Sequence, residues 1–257
     1  MCTDSSALLS PAEAARLGVA VASVAVAVDG VPWNGREGTN AFYEQLASGA
    51  TATTAPPSPG ELLALYDELA REGADEVLSI HLDRRLSGTA DAAELAAHGA
   101  SPAVRVVEVA TASFGVALCV RAAVGALHVG ATAVDAEKEA RAVASRLRNA
   151  FVAPTATGGR VPTDRGCAVL ELADGTTGVL ATADSLEAAT GAMAELVEAD
   201  GATQAAVGHA AEHMRPSADA LARQLCSLVA VERYRIAPAV GAHIGGASFG
   251  LFWWSEA

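Results

Sequence analysis

Four short stretches carry residue types at spacings that could do chemistry. The first is LSGT, residues 86–89, a small-residue turn between an apolar run and an Ala-rich run. A strand end, a turn of small residues and a helix N-terminus together make an anion site. Unpaired N–H groups point outward, the helix dipole favours negative charge, and a serine hydroxyl adds a donor. Ser87 is the serine that would do this, although a serine here also serves simply as the cap of its own helix. The second stretch is TTAPPSPGELLALY, residues 53–66, where a Pro-locked turn holds Thr54; a solvated loop threonine is the plain alternative. The third is His243 in AHIGGASFG, where glycines around a histidine let backbone approach a ligand closely. A core or loop histidine looks the same. The fourth is HAAEH, residues 209–213, which matches the H-x-x-E-H pattern of inverted zinc metalloproteases. That site needs both histidines on one helical face. His209 ends the strand-like run ATQAAVGH, so no metal is expected. There is no G-x-G-x-x-G after a strand, no Walker loop and no G-x-S-x-G.

The elements around these stretches are well marked. Ser58, Pro59 and Glu61 spell a capping box that opens a helix to about Glu72, and Ser10, Pro11 and Glu13 spell another that opens a short one. Residues 19–28 read as a strand ended by Asp29-Gly30, and residues 36–48 as a helix. A buried-type strand follows over 75–82, then the LSGT turn, a helix over 89–99 and a strand over 104–109. Helical patterns cover 113–130 and 133–149. This alternation predicts a parallel sheet covered by helices on both faces. The texture changes near Phe151, and the Pro-, Gly- and Thr-rich residues 151–166 read as a junction. Residues 167–172 and 177–181 flank ADGT, a hairpin signal. Asp184 with Glu187 marks a helix to about Ala199. A strand over 203–208, a helix over 217–228 and a strand over 229–236 precede the Gly-rich end GAHIGGASFGLFWW. The expectation is an α/β chain in two domains: residues 1–150, a three-layer α/β/α domain with a parallel sheet, and residues 151–257, an α+β domain with a mixed sheet.

Composition narrows the function. The chain has 257 residues, 51% of them hydrophobic but only 4% aromatic, so a sizeable core must be built from Ala, Val and Leu. Its formal net charge of −13 argues against a nucleic-acid partner, because phosphate binding needs clustered Lys and Arg. The four cysteines are scattered with no C-x-x-C, which reads as free thiols in a reducing cytoplasm. No apolar run reaches the roughly 18 residues of a membrane span, and the start shows no signal-peptide pattern.

Five stretches in order resemble the DegV family of bacterial fatty-acid-binding proteins. CTDSSALL at residues 2–9 is similar to the family's T-D-S-S/T-A-x-L. TAPPSPGE at 54–61 is similar to its T-S-x-P-S-x-x-E/D. DEVLSIHLDRRLSGT at 75–89 resembles its strand followed by L-S-G-T, GGRV at 158–161 its G-G-R-I/V, and AHIGGASFG at 242–250 its H-x-G-x-G-A/T-x-G. The resemblance implies a two-domain α/β fold with a fatty acid between the domains. It implies a carboxylate held by Thr54, by Ser87 and by the Gly88 N–H, with His243 close by. It also implies no enzymatic activity in this chain and no cofactor. The ligand would be a fatty acid of roughly C14–C18, presented to a separate ATP-using fatty acid kinase subunit.

The chain departs from the family pattern at several points. APTAT stands where a longer T-L-x-Y-L segment is usual, and K-P-I/L-L is not visible. A basic residue associated with kinase docking aligns near Ala181. Asp83 and Arg84 replace small polar residues before LSGT. Two other readings stay open from the sequence. One is a serine hydrolase with Ser87 as nucleophile, His243 as base and Asp4 as orienting acid. The other is a degenerate family member with a structural or regulatory role.

Overall fold

Ser58 forms the cap that its spacing predicts. Its Oγ accepts from the Glu61 N–H at 3.2 Å, and Glu61 Oε2 accepts from the Ser58 N–H at 2.7 Å. Two orphan donors of the first turn are satisfied, with Pro59 at the start of the helix. Ser10 caps the first helix in the same sense, accepting from the Glu13 N–H.

The computed structural model describes residues 1–153 and 166–255. In chain order the elements begin with β1 (Cys2–Asp4), α1 (Pro11–Leu17), β2 (Ala20–Ala22), β3 (Ala25–Val28), β4 (Val31–Pro32), α2 (Gly38–Ala47) and β5 (Ala52–Ala55). Next come α3 (Pro59–Arg71), β6 (Glu76–His81), α4 (Thr89–Ala97), β7 (Ala103–Glu108), α5 (Phe114–His128) and α6 (Ala133–Arg146). The last are β8 (Arg148–Val152), β9 (Cys167–Ala173), β10 (Thr176–Ala183), α7 (Leu186–Ala199), β11 (Gln204–His209), α8 (Arg215–Leu225), β12 (Ala230–Arg235), α9 (Pro238–Ile244) and β13 (Phe249–Trp254). They fall into two compact units. One comprises Met1–Ala25 and Thr54–Ser145, the other Val26–Thr53 and Arg146–Ala257. The expected division at residue 150 takes no account of this interleaving.

The first unit is built on four parallel strands in the order β2-β1-β6-β7. Leu62 and Tyr66 of α3 and Ala93 and Ala96 of α4 bury one face against Cys2, Ala22 and Val77. Helix α5, buried along most of its length, packs on β6 from the other side, where strand alternation points Leu78 and Ile80. From β1 the chain steps outward to β2, and β6 then lies on the opposite flank of β1. The carboxyl ends of β1 and β6 therefore flank the point where strand order reverses, which is where open α/β sheets bind ligands.

The second unit holds a six-stranded mixed sheet in the order β10-β9-β8-β13-β11-β12, in which β11 and β12 are parallel and the other pairs antiparallel. Met193 and Val197 of α7 and Leu221 and Leu225 of α8 cover one face, against Val207, Leu251 and Trp253. A second cluster joins Val28, Phe42 and Tyr43 to Ala210, Ala211 and Ile236. Strands β3, β4 and β5 form a small separate sheet in the order β4-β3-β5.

Several expectations need correction. Residues 19–28 are two strands in different sheets, broken where the Val24 N–H donates to Ser5 Oγ instead of a ladder partner. Helix α6 stops at Arg146, and residues 148–152 turn into β8. The Gly-rich end, to which the sequence reading assigned no element, contains α9 and then β13, an interior strand between β8 and β11. Ser185, not Asp184, caps α7, because its Oγ accepts from the Ala188 N–H at 3.1 Å. GGRV at 158–161 lies outside the described residues, as does most of the 151–166 junction.

Candidate functional site

At the carboxyl end of β6 the chain makes a tight excursion before α4. The Leu86 N–H donates to the Asp83 carbonyl at 2.9 Å, closing a turn, and the Asp83 N–H donates to the Thr111 carbonyl. Two arginines brace this turn, each on carboxylates. Arg85 holds the buried Asp83 carboxylate through Nε and Nη2, at 2.9 and 2.6 Å. That contact keeps the Asp83 carboxyl below its ordinary range, against the opposing effect of burial. Arg84 is a hub. Its Nε donates to Glu108 at 2.7 Å, Nη1 to Asp91 at 2.9 Å and Nη2 to Glu94 at 2.8 Å, while its backbone N–H donates to Glu108 at 2.9 Å. Burial pushes the Glu108 carboxyl up, but the hydrogen bonds from Arg84 outweigh it and hold the group below its ordinary range. Neither arginine is the unattached loop residue that the sequence allows.

The turn ends on Ser87 and Gly88. Gly88 is the N-cap of α4 and brings no side-chain acceptor to it. Ser87 Oγ accepts from the Thr89 N–H at 3.3 Å and shares a hydrogen bond with Thr89 Oγ1 at 2.8 Å. Ser87 thus takes one first-turn donor, and the remaining first-turn N–H groups have no intrahelical acceptor. That is the electrostatic setting of an anion site.

Thr54 is the third residue of β5, in the small sheet and not at a strand end of the parallel one. Two residues on, the Pro turn meets the LSGT loop: a Cβ added to Gly88 would lie 3.9 Å from Pro56 Cγ. The Thr-Pro turn and the Ser87-Gly88 turn are therefore neighbours in one unit, each held against its own helix start. His243 belongs to the other unit, exposed in the last turn of α9, which ends at Gly245 with φ +77°. Ala181 sits in β10 beside a register shift and packs on the core of the second unit.

The sequence reading missed a fully buried polar array in the first unit. Asp4, Ser79 and His81 are all fully buried. Asp4 ends β1 and caps the following 3-10 turn, accepting from the Ser6 N–H at 3.0 Å and from Ser6 Oγ. Its other oxygen lies 2.7 Å from His81 Nδ1, His81 Nε2 lies 2.8 Å from Ser79 Oγ, and Ser79 Oγ lies 2.8 Å from Tyr66 Oη. One tautomer satisfies the whole chain, with Tyr66 donating to Ser79, Ser79 to His81 and His81 to Asp4. The connectivity is that of Ser-His-Asp, but Ser79 is sealed in the sheet and already engaged by Tyr66, so no substrate carbonyl reaches it. The array ties β1 to β6 directly beneath the turn that carries Ser87. The only early signals are the side-chain types themselves, a histidine and a serine in an otherwise apolar strand. Asp4, considered as an orienting acid for His243, gives its carboxylate to His81 and Ser6.

HAAEH does not form a metal site. His209 closes β11, and Glu212 and His213 lie in a separate 3-10 turn. Among the described residues no group of three or more His, Cys, Asp or Glu is placed to hold a metal. All four cysteines are free, and burial pushes the Cys2 and Cys119 thiols up to about 12. No helix among the described residues is long and apolar enough to cross a membrane.

Comparison with known proteins places this architecture. A family model described as "Uncharacterised protein, DegV family" matches residues 1–166. DegV domain-containing protein SCO2569 of Streptomyces coelicolor is 30% identical over 268 residues, covering 97% of this chain and 95% of that protein. DegV domain-containing protein Rv2417c of Mycobacterium tuberculosis is 43% identical over 103 residues, 40% of this chain and 36% of that one. Among solved structures, a DegV family protein from Thermus thermophilus described for its fatty acid binding superposes with a TM-score of 0.89 at 25% identity, over 99% of this chain and 98% of that one. DegV from Bacillus subtilis, described as a fatty acid binding protein, shares the fold with a TM-score of 0.86 at 21% identity, over 99% and 98% of the two chains. With its parallel sheet, its mixed sheet and its LSGT turn at the strand-order reversal, the chain belongs to the DegV family.

Proposed function

We propose that this chain is a fatty-acid-binding carrier with no catalytic activity of its own. Thr54, Ser87 and the Gly88 N–H take the carboxylate, with His243 as a further ligand-binding residue, and the protein buries the acyl chain. The carrier then presents the carboxylate to a separate ATP-dependent fatty acid kinase subunit. The observation that carries the reading is the meeting of two turns: Pro56, two residues beyond Thr54, lies against Gly88, a helix N-cap with no side-chain acceptor of its own, on the carboxyl edge of the parallel sheet. The binding described for the Thermus thermophilus relative supports the same reading.

The energetics suit a carrier. Each buried methylene is worth ~0.8 kcal/mol, so a long tail offers on the order of 10 kcal/mol before ordering costs. One hydrogen bond to a carboxylate adds about 1.5–3 kcal/mol. The tail sets affinity and the head sets register. A head site of hydroxyls and N–H groups holds the carboxylate without clamping it, since Arg84 and Arg85 are engaged on protein carboxylates.

Native mass spectrometry of the purified protein, followed by denaturing release, tests this directly. The expected result is one fatty acid per chain and a several-fold weaker affinity in Thr54→Ala and Ser87→Ala, both folded. A protein that carries no lipid and takes up none, or two variants that bind as tightly as wild type, overturns the assignment.

A further inference from the structure

Three carboxylates surround the turn that is read above as a carboxylate site, and one side chain gathers all three. Asp91 lies three residues beyond Gly88 on α4 and Glu94 six residues beyond it, about 4.5 and 9 Å along the helix axis. Glu108 ends β7, in register with His81 at the end of β6. All three bind the Arg84 guanidinium at 2.7–2.9 Å. The neighbouring Arg85 binds a different carboxylate, Asp83. Arg84 is thus the one guanidinium among the described residues that bonds all three carboxylates, beside the Ser87-Gly88 turn, while Arg141 reaches the Glu108 carbonyl and not its carboxylate. Its backbone N–H is anchored on Glu108 as well, so one residue fixes both the turn's position and its local field.

We propose that Arg84 is a positioning and charge-neutralising residue of the headgroup site, which sets the protein's preference for an anionic over a neutral lipid head. This rests on the carboxylate-site reading above. With Arg84 in place, the helix N-terminus offers its donors to a carboxylate. Without it, Asp91, Glu94 and Glu108 face the same approach unbalanced and repel an anion, while a neutral head feels none of this. Exposed ion pairs contribute little to stability, so the variant is expected to fold.

The test is a titration of wild type, Arg84→Gln, Arg84→Gln/Asp91→Asn/Glu94→Gln and Ser87→Ala with palmitate and with the corresponding long-chain alcohol, at low and at high salt. Arg84→Gln is expected to weaken palmitate binding on the order of tenfold at low salt, less at high salt, and to leave the alcohol within about twofold. The triple variant is expected to recover most of the loss. If Ser87→Ala weakens palmitate but Arg84→Gln weakens both ligands alike, or neither, the inference is wrong and the head site stands. If Ser87→Ala binds palmitate as wild type does, the head-site reading falls and this inference falls with it.

Discussion

Replacing His81 by alanine removes one end of a hydrogen bond whose other end cannot reach water. Both side chains are fully buried, the Asp4 oxygen lies 2.7 Å from Nδ1, and the Asp4 carboxylate keeps only its two bonds from Ser6. Deleting the imidazole removes that hydrogen bond and leaves a buried acceptor less well satisfied, at a cost of about 1.5–3 kcal/mol. That is a large share of the ~5–15 kcal/mol that holds a domain together. For a unit of about a hundred residues it amounts to a fall of roughly 10 °C in melting temperature. Asp4→Asn removes the charge instead, and the neutral amide tolerates loss of the imidazole better. The double variant Asp4→Asn/His81→Ala is therefore expected to lose about 2 kcal/mol less than the sum of the singles. Urea unfolding followed by circular dichroism measures all four corners of the cycle. A single-variant loss below about 1 kcal/mol, or strictly additive singles, would show that the array is not a coupled buried unit.

Two further outcomes follow from other parts of the chain. In Gly241→Ala the new methyl would meet Tyr43 Oη at 2.2 Å, where that hydroxyl donates to the Ile236 carbonyl, so a destabilisation of about 1–3 kcal/mol with weaker fatty-acid binding through α9 and His243 is expected; unchanged stability by urea titration refutes it. Burial, then the Arg235 guanidinium, pushes the His209 imidazole below its ordinary value near 6.5, so the unfolded chain binds more protons than the folded one just below that pH. Stability from this group is complete above about pH 6.5 and is lost as pH falls towards the folded value. His209→Gln should flatten the wild-type decline as pH falls below about 6.5, and parallel curves for the two proteins would exclude His209 as its source.

What could be read from the sequence divides by the range of the interactions involved. The caps at Ser10 and Ser58, the DG hairpin turn and the LSGT turn are local chemistry, set by residues three or four apart, and they stand where the spacing places them. Strands β1 and β5 are three and four residues long, and neither carries a pattern that separates it from loop; β13 is a six-residue apolar run that the reading left inside the Gly-rich end. β13 hides among glycines because one of them, Gly250, is required by a neighbour: a Cβ there would come within 2.7 Å of Phe151 Cβ. The link between Asp4 and His81 spans 77 residues and follows only from β1 pairing with β6 in parallel, which no local signal records. The turn at Ser87 and Gly88 was legible because a small-residue turn at a helix start is local, whereas the neighbour that the Thr-Pro turn finds at Gly88 depends on the fold.

The interleaving of the two units has a consequence for how the protein is made. Residues 26–53 emerge early from the ribosome, but their aromatic side chains are buried against partners that emerge near the end. Phe42 and Tyr43 pack with Ala210, Ala211 and Ile236, and the hydrogen bond from Tyr43 reaches across 193 residues. At about 5–20 residues per second, this segment waits on the order of 10–40 s before its partners exist. The first unit can meanwhile close on itself only by looping this segment out between Ala25 and Thr54. During synthesis the chain therefore displays an apolar hairpin-and-helix insert on a finished sheet, a natural client for a holding chaperone. A fragment cut at the middle of the chain would display it permanently.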